Sequence, residues 1–230
     1  MAILSWDGTG ERRYESGVSK GVLYVMDQGS YGNGVAWNGL TSVNDNPDGA
    51  EPTELWADNI KYAVLRSAEK LGLTIEAYTY PTEFEACDGM DTPSGATGMV
   101  IGQQGRKSFG FCYRTEIGDD TTTEKGYKLH LVYGCSTKPS DKSYETINDS
   151  PSAITFSWEI DTVPQSFTGD YANSFKPTSE IVVDSTQVSS ASIMTVLESF
   201  LYGTASLAPV LPLPSAVVDI LKGTTSSRTA

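Results

Sequence analysis

AITFSWEID, residues 153–161, decides the fold class. Ile154, Phe156, Trp158 and Ile160 are large and apolar, while Thr155, Ser157, Glu159 and Asp161 between them are polar. Successive side chains of a strand point to opposite faces, so this stretch reads as a β-strand with one packed and one wet face. The same β-branched and aromatic enrichment recurs in GVLYVMD (21–27), VAWNGL (35–40), NIKYAVLRS (59–67), LTIEAYTY (73–80), FGFCYRTE (109–116), YKLHLVYG (127–134) and SEIVVDST (179–186). Phe109, Phe111 and Tyr113 share one face of their strand, and Ile60, Tyr62 and Val64 share one face of theirs. Strands at this spacing, with turn signals between them, predict an all-β sandwich or barrel.

One helix stands out. In SSASIMTVLESFLYG (189–203), apolar residues at 193, 196, 197, 200 and 201 form the stripe of an amphipathic helix. Ser189 and Ser190 offer an N-cap, and Gly203 is placed to end the helix. Beyond it, Pro209, Pro212 and Pro214 predict an extended segment that docks on a neighbour or along a sheet edge. Residues 217–221 are expected to add a last helical turn, and 224–230 a disordered tail. Residues 1–20 are polar and glycine-rich and read as an arm. The expected organisation is therefore an arm (1–20), a β-domain (21–203) and a proline-rich C-terminal arm and tail (204–230).

Between two strand candidates lies VNDNPDGAEPTELWADN (43–59). It holds Asp45, Asp48, Glu51, Glu54 and Asp58, no Lys or Arg, and the apolar pair Leu55 and Trp56. Pro47 and Pro52 oppose a helix or a central strand, so the stretch is expected to be a long acidic loop with its own apolar anchor. A second long loop, about 85–107, ends in the basic pair Arg106 and Lys107.

The formal net charge of −13 argues against wrapping nucleic acid, which requires clustered Lys and Arg. No secretory leader is expected from the opening residues, and no stretch has the length of a membrane span. Cys87, Cys112 and Cys135 lack metal-ligand spacing and read as buried thiols of a chain folded in a cytoplasm. His130 is the single histidine, placed mid-strand, and is expected to be satisfied locally. There is no G-x-S-x-G elbow, P-loop or dinucleotide fingerprint. Glu159 and Asp161 stand two apart on one strand, a spacing open to glycosidase chemistry but better read as a solvated face. The expectation is no catalytic residue, no cofactor and no metal. A carbohydrate-binding or adhesive β-sandwich stays open as an alternative, since the tyrosines and tryptophans permit sugar stacking.

GVAWNGLTSVNDNPDGAEPTELWADNIKY, TIEAYTYPTEFEACDG, IGQQGRKSFGFCYRTEIGDD, GYKLHLVYGC, INDSPSAITFSWEIDT and LAPVLPLPSAVVDIL, in this order, resemble the major tail tube proteins of long-tailed bacteriophages. The resemblance implies a β-sandwich of two antiparallel sheets with one flanking helix, assembling into hexameric rings. Rings stack into a tube that encloses a tape-measure protein and then conducts double-stranded DNA. Tail terminator and distal tail or baseplate proteins are the further partners implied, with no membrane partner. The expected location is the virion tail, assembled in the host cytoplasm. By this resemblance residues 40–58 are the inter-ring stacking loop, docking Leu55 and Trp56 while its carboxylates meet Arg106 and Lys107 of a neighbour. A tube that must not bind DNA wants acids facing inward, and Glu76, Glu159 and Asp161 are the candidates for its lumen.

Overall fold

The computed structural model describes residue 4 and residues 6–49, 52–65, 69–96, 98–144, 146 and 153–224. The strands are β1 (Tyr14–Asp27), β2 (Ser30–Tyr31), β3 (Val35–Trp37), β4 (Leu40–Asp48), β5 (Thr53–Ala57), β6 (Ile60–Leu65), β7 (Lys70–Ala77), β8 (Phe109–Gly118), β9 (Gly126–Thr137), β10 (Phe156–Thr162) and β11 (Glu180–Asp184). Two helices follow, α1 (Ala191–Tyr202) and α2 (Pro214–Leu221). Every strand pair is antiparallel.

The chain is mostly β, with two antiparallel sheets as expected: a nine-stranded sheet, ordered β2-β1-β8-β9-β10-β7-β4 with β3 on β1 and β11 on β9, and a two-stranded ribbon of β5 and β6. The sheet bends through β9. Residues 128–132 of β9 pair with β11, and 135–137 pair with β10. Gly134 lies between them at φ +61°, and a Cβ there would sit 2.2 Å from the Val163 carbonyl oxygen. Only glycine fits this left-handed position and close backbone approach.

Around that bend, β10, β7 and β4 form one layer, and β1, β8, β9 and β11 another. Their facing sides build the first core, where Leu73, Ile75, Trp158 and Ile160 meet Leu23, Phe109, Phe111 and Val132. Trp37, Phe84 and Trp158 pack within 4.5–5.5 Å of one another, and the Trp37 indole donates to the Thr79 carbonyl at 2.9 Å. A second core fills the opposite face, where Val22, Tyr24, Leu129, Leu131 and Tyr133 meet Met194, Leu197 and Leu201 of α1 and Val217 and Ile220 of α2. The Tyr24 hydroxyl donates to Leu201 O (2.6 Å) and the Tyr133 hydroxyl to Pro212 O (2.9 Å), so both buried phenols are satisfied.

Five expectations change. The 1–20 arm is strand from Tyr14 onward; Gly17 and Lys20 at positive φ accompany register shifts in β1 that hide its alternation. The 153–161 strand starts at Phe156, where pairing with Ala77 ends, which leaves Ile154 exposed. Pro214 does not forbid helix, because it stands at the first turn of α2, where its missing N–H costs nothing. The prolines before α2 dock within the chain: Gly34 N donates to Pro209 O, Val210 N to Phe200 O, and Leu211 is buried. The largest change concerns residues 40–58. Most of this stretch is strand: β4 forms a sheet edge, where Pro47 is tolerated, and β5 opens a hairpin. The tail at 225–230 lies outside the described residues.

Candidate assembly surface

The β5–β6 ribbon continues the β4–β7 hairpin past the sheet, beyond the Asp48–Lys70 pair. Its turn is Asp58-Asn59, both at positive φ (52° and 61°), the signature of a tight type I′ hairpin turn. Pairing sets the faces: Leu55 opposite Ala63, Thr53 opposite Leu65 and Ala57 opposite Ile60 share one side. That side is apolar apart from Thr53. The other carries Trp56 and Val64 with the Glu54–Lys61 ion pair. A register shift between Leu55 and Trp56 leaves Tyr62 as the extra residue of a bulge. Among the described residues nothing covers the ribbon: Trp56 is 65% and Tyr62 73% exposed, with Leu55, Ile60, Val64 and Leu65 also open. An isolated two-stranded hairpin is marginal in water, and a contiguous apolar patch on it marks an interaction site. Ile60, Tyr62 and Val64, expected to share one strand face, are split between the two sides by this bulge, and all three belong to the exposed surface. The apolar positions flanking an Asp-Asn turn were the available signal.

The carboxylates of residues 40–58 do not act as one set. Glu54 is spent on Lys61, Asp48 stands opposite Lys70 on β4, and Asp58 sits in the turn. Glu51 lies outside the described residues. Asp45 turns toward Tyr113, Glu180 and His130; burial and then the Glu180 charge raise its pKa, against the pull of His130 and the Tyr113 hydroxyl. Arg106 and Lys107 close the 85–107 loop. Lys107 approaches Asp27 at 3.8 Å, while Arg106 makes no ion pair among the described residues.

Glu76, Glu159 and Asp161 share one surface. Cross-strand rows place Ser42, Glu76 and Ser157 abreast, then Asn44, Thr74 and Glu159, then Asn46, Gly72, Asp161 and Ser136. This is the face of the β4-β7-β10 layer turned away from the first core, and it is polar across every row. Ser42 donates to Glu76 (2.9 Å), Asn46 to Thr74 (2.6 Å), and Lys138 Nζ lies 2.9 Å from Asp161 and 4.0 Å from Glu159. Its charges are Asp48, Glu76, Glu159 and Asp161 against Lys70 and Lys138, so acids prevail. A groove along this face, lined by Asn46, Lys70, Lys138, Glu159 and Asp161 among others, has no aromatic side chain in its wall.

His130 is held locally. Nδ1 lies 3.1 Å from Glu180, Nε2 lies 3.2 Å from the Thr115 hydroxyl, and the ring stacks on Tyr113 at 4.4 Å. Cys87, Cys112 and Cys135 are buried and free, and burial pushes the Cys87 thiol up to about 12. Such thiols carry little thiolate and are poor nucleophiles. No family model matches the chain, and no curated protein matches its sequence significantly.

Proposed function

We propose that this chain is a structural subunit that polymerises through its projecting ribbon, as a tail tube protein of the long-tailed phage type. One observation carries the reading: an ordered β-ribbon with an apolar face has no partner among the described residues of its own subunit. A chain that keeps such an element open uses it between copies. The acidic layer face supplies the second half of the reading, a wall for a channel that passes DNA without holding it. Hexameric rings of this chain carry −13 per copy, or −78 per ring, a field that repels phosphate where acids face the lumen. The tape-measure protein would occupy the same channel first, and terminator and baseplate proteins would close its ends. The reading is favoured over a carbohydrate-binding module because the polar groove offers no ring for a sugar to stack on.

Negative-stain microscopy and sedimentation of the concentrated protein test the proposal. Rings or tubes are expected. A strictly monomeric chain at every concentration, alone and with its tape-measure partner, would refute it.

A further inference from the structure

The ribbon needs a seat on the next copy. We infer that this seat is the surface formed by Tyr78, Ile154 and the Met99-Val100-Ile101 stretch, with Arg106 at its rim, so that copies join head to tail along the axis of β7. The inference rests on the proposed function and deepens it by naming the partner surface.

Topology comes first. The ribbon leaves the sheet at Lys70, the first residue of β7. Ala77, the last, lies about 23 Å away at ~3.3 Å per residue. Tyr78 follows directly, and Ile154 precedes Phe156, which pairs with Ala77. The base of the 85–107 loop is fastened to the same end. Lys142 Nζ lies 2.6 Å from Asp88 and over the Tyr80 ring, three residues past the strand, and Gln104 N donates to Gly89 O. Ribbon and loop thus occupy opposite ends of one strand.

Chemistry matches across those ends. Tyr78 (55%) and Met99 (53%) are the most exposed of the set, and Val100, Ile101 and Ile154 are open as well. These apolar side chains suit the Leu55–Ile60–Leu65 face of the ribbon. Asp91 bridges Ile101 and Lys107 approaches Asp27, while Arg106 beside the seat and Asp58 at the ribbon's tip each make no ion pair among the described residues and can meet across the junction. A self-complementary, two-fold contact would have to place like surfaces together; an apolar ribbon ending in Asp58 and a separate apolar seat beside Arg106 on the same chain favour the heterologous arrangement, which generates open stacks.

The test blocks each end separately. A ribbon variant, Leu55→Asp with Trp56→Asp, and a seat variant, Met99→Asp with Val100→Asp, are each checked for unchanged circular dichroism. Each alone should need at least ten-fold more protein to assemble than wild type. Mixed, they retain one intact ribbon and one intact seat, so they should form a single junction and stop, giving discrete complexes of two units and no tubes. To separate docking from any effect of the aspartates on the loop, Arg106→Glu gives a second route: it should weaken assembly, and Asp58→Lys in the same chain should restore it. A seat variant that assembles like wild type while the ribbon variant fails overturns the seat and leaves the proposed function standing. Two failing variants whose mixture forms no junction, with no rescue by the charge swap, also overturn it. A wild-type chain that never assembles overturns both.

Discussion

Truncating Leu55 and Trp56 to alanine separates the ribbon's role in folding from its role in assembly. In the free subunit these side chains are already 40% and 65% exposed, so little of their apolar surface is lost from the core. The double variant should keep its monomer stability within about 0.5 kcal/mol, as surface changes do. Docking is another matter. Fully burying a side chain of this size is worth ~1.5–3 kcal/mol, and about two-fifths of Leu55 and two-thirds of Trp56 remain to be buried. The two side chains stand on opposite sides of the ribbon, so with both sides covered in the assembly the sum is about 2–3 kcal/mol per ribbon, or roughly a 30- to 150-fold loss. Contacts repeated around a ring compound the loss, so tube formation should vanish at concentrations where wild type polymerises fully. Thermal unfolding of the unassembled protein and sedimentation across a dilution series measure the two effects. A variant that polymerises at the wild-type concentration refutes the reasoning, whatever its stability. So does one that unfolds several degrees earlier, since it would mean the ribbon is part of the subunit's own core.

Three further outcomes follow from the geometry. Gly134→Ala should cost roughly 2–4 kcal/mol, visible as a lowered Tm, because its Cβ meets the Val163 carbonyl at a positive φ; an unchanged Tm would mean that the bend at β9 relaxes freely. Asp45 has a raised pKa, so the native state binds its proton more readily than the unfolded chain, and this residue's penalty at neutral pH fades as pH falls through the raised value toward 3.8. Asp45→Asn should therefore stabilise at pH 7 and lose that advantage on acidification, and a pH-independent difference in unfolding midpoint would contradict it. On the proposed tail-tube function, reversing Glu159 and Asp161 to Lys should leave assembly intact but slow genome ejection, with the defect easing in salt as the Debye length shrinks from about 10 Å; normal low-salt ejection, with the variant present in the tail, would remove these acids from the proposed lumen.

Much of the core was legible because its periodicity was strong. Trp158 and Ile160, Phe109, Phe111 and Tyr113, and the buried Leu197 and Leu201 of α1 all fall where alternation or helical spacing puts them. The candidate surface was half legible. Leu55 and Trp56 stood out as apolar residues in an acidic stretch, but Pro47 and Pro52 disguised strand as loop. Proline bars only a central strand, and nothing local shows that β4 will be an edge. Glu76, Glu159 and Asp161 come together on one face through registers among β4, β7, β10 and β9, long-range facts that no single strand contains. The Met99–Ile101 stretch gave no signal for a related reason: three apolar residues in a loop read as core until the fold leaves them outside.

The ribbon's attachment also has a mechanical consequence. A pull on it enters the subunit along β4 and β7, parallel to the strands. β7 is flanked on both sides, by β10 from Gly72 to Ala77 and by β4 from Lys70 to Ala77. Force in that direction draws β4 and β7 the same way and loads the rungs between β7 and β10 in shear, together, whereas a pull across the sheet would peel them one at a time. An assembly strung through such strands resists stretching far better than it resists splitting, and under tension it should yield first at the junctions between copies while each subunit stays folded.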